Sequence, residues 1–114
     1  MKKKNIVKKS EDFNRIIKKR AGKVNKYFII NKEQNNENKN KFGITFTKNI
    51  GNAVTRNKIK RRIKSIIDNN ENIYDINTTY IVIAKKEVID LKYSEMEKEL
   101  VNLFNKIKGE KDEK

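Results

Sequence analysis

The chain has 114 residues and sets 29 Lys plus Arg against 15 Asp plus Glu, for a net charge of +14, with no His, Cys, Trp or Pro. Without Cys or His there are no disulfides, no thiolate nucleophile, no Cys- or His-ligated metal and no His-based triad. The length fits one domain, residues 1–114, and a 35% hydrophobic against a 39% charged fraction limits it to a modest core under an ionic surface.

Residues 1–9 read as a basic arm. Its apolar pair Ile6-Val7 is followed at once by Lys8 and Lys9, too short for a secretory signal. No run approaches the ~18 apolar residues of a membrane span, so a soluble, cytoplasmic protein is expected. Ser10 is a good N-cap, with Glu11 and Asp12 in the first turn, and Phe13, Ile16 and Ile17 keep helical spacing. This predicts a helix over 10–20, closed near Gly22. The Tyr-, Phe- and Ile-rich stretch 24–30 predicts a strand, and the polar, Asn-rich stretch 31–41 a loop. Residues 42–47 alternate, with Phe42, Ile44 and Phe46 on one face and Gly43, Thr45 and Thr47 on the other, as a half-buried strand does.

Gly51 breaks the pattern, and Asn52 can cap a helix beginning just after it. Ile59, Ile63, Ile66 and Ile67 mark that amphipathic helix over 54–67, ended by Asn69-Asn70. Residues 78–84 are nearly continuous in β-formers and predict an interior strand. Ser94 and Glu97 read as a capping box, and Met96, Leu100, Leu103, Phe104 and Ile107 carry a last helix to about Lys108. A charged tail, 109–114, completes the chain. The order α-β-β-α-β-α makes an α+β two-layer sandwich of helices over a mixed sheet.

The excess of cations points to a polyanionic partner, nucleic acid before anionic membrane. Drift toward Lys, Asn and Ile is the rival reading. It explains Lys in place of Arg, but not why acids fail to keep pace. The central helix holds the informative part of the charge: Arg56, Lys58, Lys60, Arg61, Arg62 and Lys64 lie close together, and no acid occurs from Thr47 to Ile67. At 100° per residue Arg56, Lys60 and Lys64 share a stripe, with Asn57 and Arg61 beside it. Like charges at i, i+4 repel, so a sequence selected only for stability would alternate signs here. Either this is a solvated basic face or it lies along phosphates, where Arg supplies a planar fork and Lys a point charge. Asn57 can both donate to and accept from a ribose or a base edge.

The run Phe42-Gly43-Ile44-Thr45-Phe46-Thr47-Lys48-Asn49-Ile50-Gly51-Asn52-Ala53-Val54-Thr55-Arg56-Asn57-Lys58-Ile59-Lys60-Arg61-Arg62 resembles the signature of the protein subunit of bacterial ribonuclease P. There a strand and a Lys-containing turn lead to Gly-Asn-Ala-Val and an Arg-Asn-Arg-x-Lys-Arg helix. The flanking elements also fit, so the resemblance covers essentially the whole chain. It implies a ribonucleoprotein endoribonuclease that removes the 5′ leader from precursor tRNA. Catalysis would belong to the RNA subunit, which holds the magnesium ions, and the protein alone would be inactive. The protein would bind the leader and the ribonuclease P RNA, one protein per RNA, with pairing of holoenzymes left open. The implied fold is like the second domain of ribosomal protein S5, with a left-handed β-α-β crossover. Arg56, Asn57, Lys58, Lys60 and Arg61 match the motif that faces the catalytic RNA, and Asn52, Arg62 and Lys64 join them in the expected docking set. Phe13, Ile17, Phe28, Asn31, Thr45, Thr47 and Lys48 match the family's leader cleft, between the first helix and the sheet.

This chain departs from the family in places. Lys58 stands where Arg is usual, which keeps charge but loses the bidentate fork. Ile17 and Asn31 replace frequent aromatics, so leader grip would rest more on Phe13 and on charge. Phe13 itself fits cleft or core equally, and Phe28 fits the core better than a stacking role. No catalytic residue and no protein metal ligand is expected, because the acids are scattered. Two other readings remain: a ribosomal or ribosome-assembly RNA binder, and a DNA reader with the basic helix in a major groove. A membrane surface fits least, for want of an aromatic anchor beside the basic helix.

Overall fold

The structure, a computed structural model, describes residues 6–7, 14–16, 22–47 and 50–108. Its four strands are β1 (Lys23–Val24), β2 (Phe28–Gln34), β3 (Lys41–Phe46) and β4 (Thr78–Ala84), ordered β1-β2-β4-β3. The β-former run 78–84 is thus interior, as its composition requires. β4 runs antiparallel to β2 and parallel to β3. Parallel neighbours need a crossover, supplied here by helix α1 (Ala53–Asn69). Helix α2 (Tyr93–Ile107) comes after β4, and residues 14–16 are helical ahead of the sheet.

The register sorts the strands into two faces. Phe28, Ile30 and Lys32 of β2, Tyr80, Val82 and Ala84 of β4, and Phe42, Ile44 and Phe46 of β3 share one. All but Lys32 pack with Ile59, Ile63, Ile66 and Ile67 of α1 and Met96, Leu100, Leu103, Phe104 and Ile107 of α2. The i, i+4, i+7, i+8 spacing of the α1 isoleucines puts them on one stripe, and each is worth roughly 1.5–3 kcal/mol buried. Phe42, Tyr74, Tyr80 and Phe104 form an aromatic knot in this layer, with centroids 5.0 Å apart for Phe42–Tyr74 and 5.3 Å for Tyr80–Phe104. The other face carries Ile29, Asn31, Glu33, Gly43, Thr45, Thr79, Ile81 and Ile83. A smaller cluster of Val7, Ile16, Ile81 and Ile83 covers part of it.

Three expectations need correction. The strand placed at 24–30 is a hairpin, and strand continues through residues expected as loop, to Gln34. Asn25 makes the turn: its Oδ1 accepts from the N–H of Tyr27 and of Phe28, each at 2.8 Å. Its own N–H donates to the Phe28 carbonyl at 2.9 Å. Asn31 to Gln34 extend because their backbone pairs with Ile81 to Thr78, a tertiary demand that overrides weak propensity. Second, the sheet gains a contact that the reading of residues 1–9 as a basic arm did not include. Ile6 bridges Phe42, and the Val7 N–H donates to the Phe42 carbonyl at 3.0 Å. Third, α2 starts one residue before Ser94. Glu95, not Glu97, reaches back to the cap, its Oε1 accepting from the Lys92 N–H at 2.9 Å. Glu97 accepts instead from the Asn70 amide at 3.2 Å.

Candidate nucleic-acid interface

Gly51, at φ 90°, turns the chain out of β3 in a conformation that L side chains rarely adopt. Asn52 then caps α1: its Oδ1 accepts from the Thr55 N–H and its carbonyl from the Arg56 N–H, each at 3.0 Å. At the far end the Tyr74 hydroxyl donates to the Ile67 carbonyl at 3.0 Å and the Asn70 amide to the Ile66 carbonyl at 2.8 Å. Each end of the helix is therefore capped from within the fold.

Its basic side chains are not partnered in this way. No acid lies in the first turn, where the helix dipole favours acids and disfavours cations. Arg56 and Lys58 sit at that end nonetheless. Asn57, Lys60, Arg61 and Lys64, together with Val54, border a shallow, solvent-open depression on the helix surface. Val54, Asn57, Arg61 and Lys64 recur at i, i+3, i+7 and i+10, one stripe along the helix. Arg56 flanks the stripe on one side, Lys58 and Arg62 on the other. Arg56, Asn57, Lys58 and Arg61 are exposed, whereas Lys60, Arg62 and Lys64 are half-buried along their stems. Among the described residues none of these seven side chains makes a hydrogen bond or an ion pair.

The second predicted group is divided by the structure. Thr45 sits half-buried on the face of Asn31, with Ile83 between β3 and β2 at its level. Thr47 continues past β3, and its N–H donates to the Ala84 carbonyl at 3.0 Å. Asn31 is on the right face but only 5% exposed. A Cβ on Gly22 would overlap its side-chain oxygen and the Ile30 carbonyl oxygen. Phe28 is a correction. It points to the opposite face and is fully buried in the main core, because β-strand alternation sets it with Ile30 and not with Asn31. Phe13, Ile17 and Lys48 lie outside the described residues.

Two features escaped the sequence reading. Arg15 grips Glu33 with a forked pair, Nη2 to Oε1 at 2.7 Å and Nε to Oε2 at 3.1 Å, which ties the helical residues to the cleft face. The acid expected in a loop thus lies on that face. Val54 is 77% exposed, and the signal was available: it falls out of register with Ile59 and Ile63. Among the described residues no three acidic side chains converge as a metal site would require. Magnesium, a hard ion that prefers phosphate and water oxygens, finds no cage among them.

A small α+β sandwich with an unpaired cationic helix defines a nucleic-acid-binding domain. The family model described as Ribonuclease P matches residues 1–108. A ribonuclease P protein component from Streptococcus pneumoniae is 40% identical over 104 residues, which covers 91% of this chain and 85% of the relative. Among solved structures, the RNase P protein from Thermotoga maritima superposes with a TM-score of 0.81 at 25% identity, covering 90% of this chain and 97% of that one. The Staphylococcus aureus RNase P protein gives 0.77 at 32% identity, covering 87% and 91%. The chain belongs to the ribonuclease P protein family. It is an RNA-binding subunit of the ribonuclease P endoribonuclease and takes part in tRNA processing; in this family the RNA performs the catalysis.

Proposed function

We propose that the exposed side of α1 docks on ribonuclease P RNA and that the face of Thr45 receives the 5′ leader of precursor tRNA. In this reading Arg56, Asn57, Lys58, Lys60, Arg61, Arg62 and Lys64 meet the RNA, and Asn52 holds the helix end that presents them. Thr45 and Thr47 contact the leader, and Phe13, Ile17 and Lys48 are assigned to it by the family motif alone. Phe28 is left out, since it is sealed in the core. Asn31 shapes the floor of the path more than it contacts the leader.

One observation carries the reading: seven polar side chains on the acid-free stretch of α1 that precedes Asp68 have no partner within the described fold. Leaving them so costs repulsion that a phosphate backbone relieves. Cations brought against RNA also screen phosphate from phosphate. Fewer magnesium ions are then needed to fold RNA and substrate together. The ions themselves sit on RNA phosphates and water, one protein serves one RNA, and the assembly works in a bacterial cytoplasm.

The test is cleavage of precursor tRNA at low magnesium with a bacterial ribonuclease P RNA, with and without the protein. Marked stimulation at the mature 5′ end, and no cleavage by protein alone, is expected. Absence of stimulation at every magnesium concentration would sink the proposal.

A further inference from the structure

The face of the sheet that carries Thr45 is open along one row only. Strand register sets Val24 beside Ile29, Ile29 beside Ile83 and Ile83 beside Thr45, a row across all four strands. Two residues along each strand, Asn31, Ile81 and Gly43 make a second row on the same face, and Glu33, Thr79 and Lys41 a third. In the first row Val24 is 60% exposed, and Ile29, Ile83 and Thr45 are half-buried. In the second all three residues are buried, and Val7 and Ile16 pack with Ile81. In the third Thr79 is buried, and Glu33 accepts from Arg15 at 2.7 Å and 3.1 Å.

An ion pair whose arginine is 54% exposed adds little to stability. Its geometry matters more, because two contacts to one carboxylate fix direction as well as distance. The fork therefore sets how helical residues 14–16 lie over the third row. The Glu33 carboxylate also opposes an RNA strand that would run along β2, since like charges brought together repel. The first row has neither obstacle. It spans three strand spacings, about 14 Å, and offers aliphatic side chains and one hydroxyl.

We infer that Arg15 and Glu33 are positioning residues for the leader. Their pair pins the helical segment over the third row. With Val7 and Ile16 closing the second, the leader is left to cross the strands past Val24, Ile29, Ile83 and Thr45, and not to follow them toward Glu33. Neither residue of the pair touches the leader. The inference rests on the proposal that the face of Thr45 receives the leader, and the experiment separates the two.

Holoenzyme is assembled with wild type, Glu33→Gln, the exchanged pair Arg15→Glu with Glu33→Arg, and Thr45→Glu, and cleavage of precursor tRNA gives KM and kcat. Charge and position predict opposite signs for Glu33→Gln. Removing an anion near an RNA strand tightens binding by charge alone, whereas a helix no longer pinned loosens it. KM should rise ~5-fold, the low end of coupling between two sites, with kcat unchanged. The exchanged pair has the same net charge and should return KM to within ~2-fold of wild type. A fall in KM or no change with Glu33→Gln, or no recovery with the exchanged pair, overturns the inference. A second readout needs no variant. A photoreactive uridine placed at successive leader positions should cross-link wild type at Val24, Ile29 or Ile83. Cross-links at Thr79 or Lys41 overturn the inference. A KM indifferent to Thr45→Glu, with no cross-link anywhere on this face, overturns the underlying proposal instead.

Discussion

Lys32 and Asp75 pair across 43 positions of sequence, Nζ to Oδ2 at 2.9 Å, with the lysine side chain only 5% exposed. The same ammonium donates to the Ile107 carbonyl at 2.9 Å, at the end of α2. The Asp75 N–H donates to the Tyr80 hydroxyl, also at 2.9 Å. One buried cation thus joins β2, the segment before β4 and the last turn of α2. Removing Asp75 strands a buried ammonium, whereas replacing Lys32 with an apolar side chain leaves a carboxylate that is 25% exposed and can turn to water. Asp75→Ala should therefore cost about 3 kcal/mol and Lys32→Met clearly less. Urea unfolding of both variants and the double mutant checks the order, and an equal cost for both would contradict it.

A neighbouring group sets an alkaline limit. Burial pushes the Tyr80 hydroxyl up to about 12 from the usual 10, and Tyr74 is raised further. Both groups are neutral when protonated, and the folded state holds its protons more tightly than the unfolded one. Their contribution is complete below the unfolded value near 10 and is lost as pH rises from there through the folded values. Tyrosinate absorbance should lag behind that of free tyrosine, and stability should fall from about pH 10 upward. Loss of lysine charge in the same range eases self-repulsion and acts in the opposite sense. Tyr80→Phe separates the two, because the variant should lose less stability between about pH 10 and 12 than wild type.

The basic helix makes a prediction about salt. Each phosphate contact contributes about 0.7–0.9 to the log-log slope of binding. Arg56→Ala combined with Arg61→Ala should flatten the slope by about 2 and weaken docking on ribonuclease P RNA. Both side chains are exposed and lack protein partners among the described residues, so the melting temperature should hold or rise. An unchanged slope would return the two arginines to a solvated surface.

The cleft face makes another. Thr45→Glu places an anion where the leader is proposed to run, at a half-buried position away from the main core. Juxtaposed like charges cost ~1 kcal/mol or more. The preference for leader-bearing over mature tRNA should drop about tenfold, while affinity for ribonuclease P RNA stays within twofold or so. Equal loss on both substrates would place the leader elsewhere.

Periodicity was enough for the elements with strong patterns. The isoleucines of α1, the β-formers of β4 and the helical spacing of apolar residues in α2 each declare one buried face, and each element lies where its pattern puts it. The Asn52 cap and the stop at Asn69-Asn70 were equally legible, since the side chains of Asn52 and Asn70 act on nearby backbone. Long-range pairing was not. Asn31 to Gln34 look like loop by composition, and only β4 makes them strand. Lys32 looks solvated, yet it enters the core because Asp75 and the end of α2 meet it there. The site divides in the same way. Charge and spacing in one helix located the basic face. The leader group draws on several elements, and strand alternation removed Phe28 from it.

The bridge between Ile6 and Phe42 has a practical side. β3 is the outer strand of the sheet on that flank, and an outer strand with bare amides and carbonyls is a template for pairing with other chains. Ile6 and Val7 occupy part of that template, and Val7 also fills the apolar cluster behind it. The N-terminal segment is therefore a guard against self-association as well as a string of lysines. Trimming residues 1–7 to lower the charge would uncover the outer strand at Phe42 and trade solubility for aggregation.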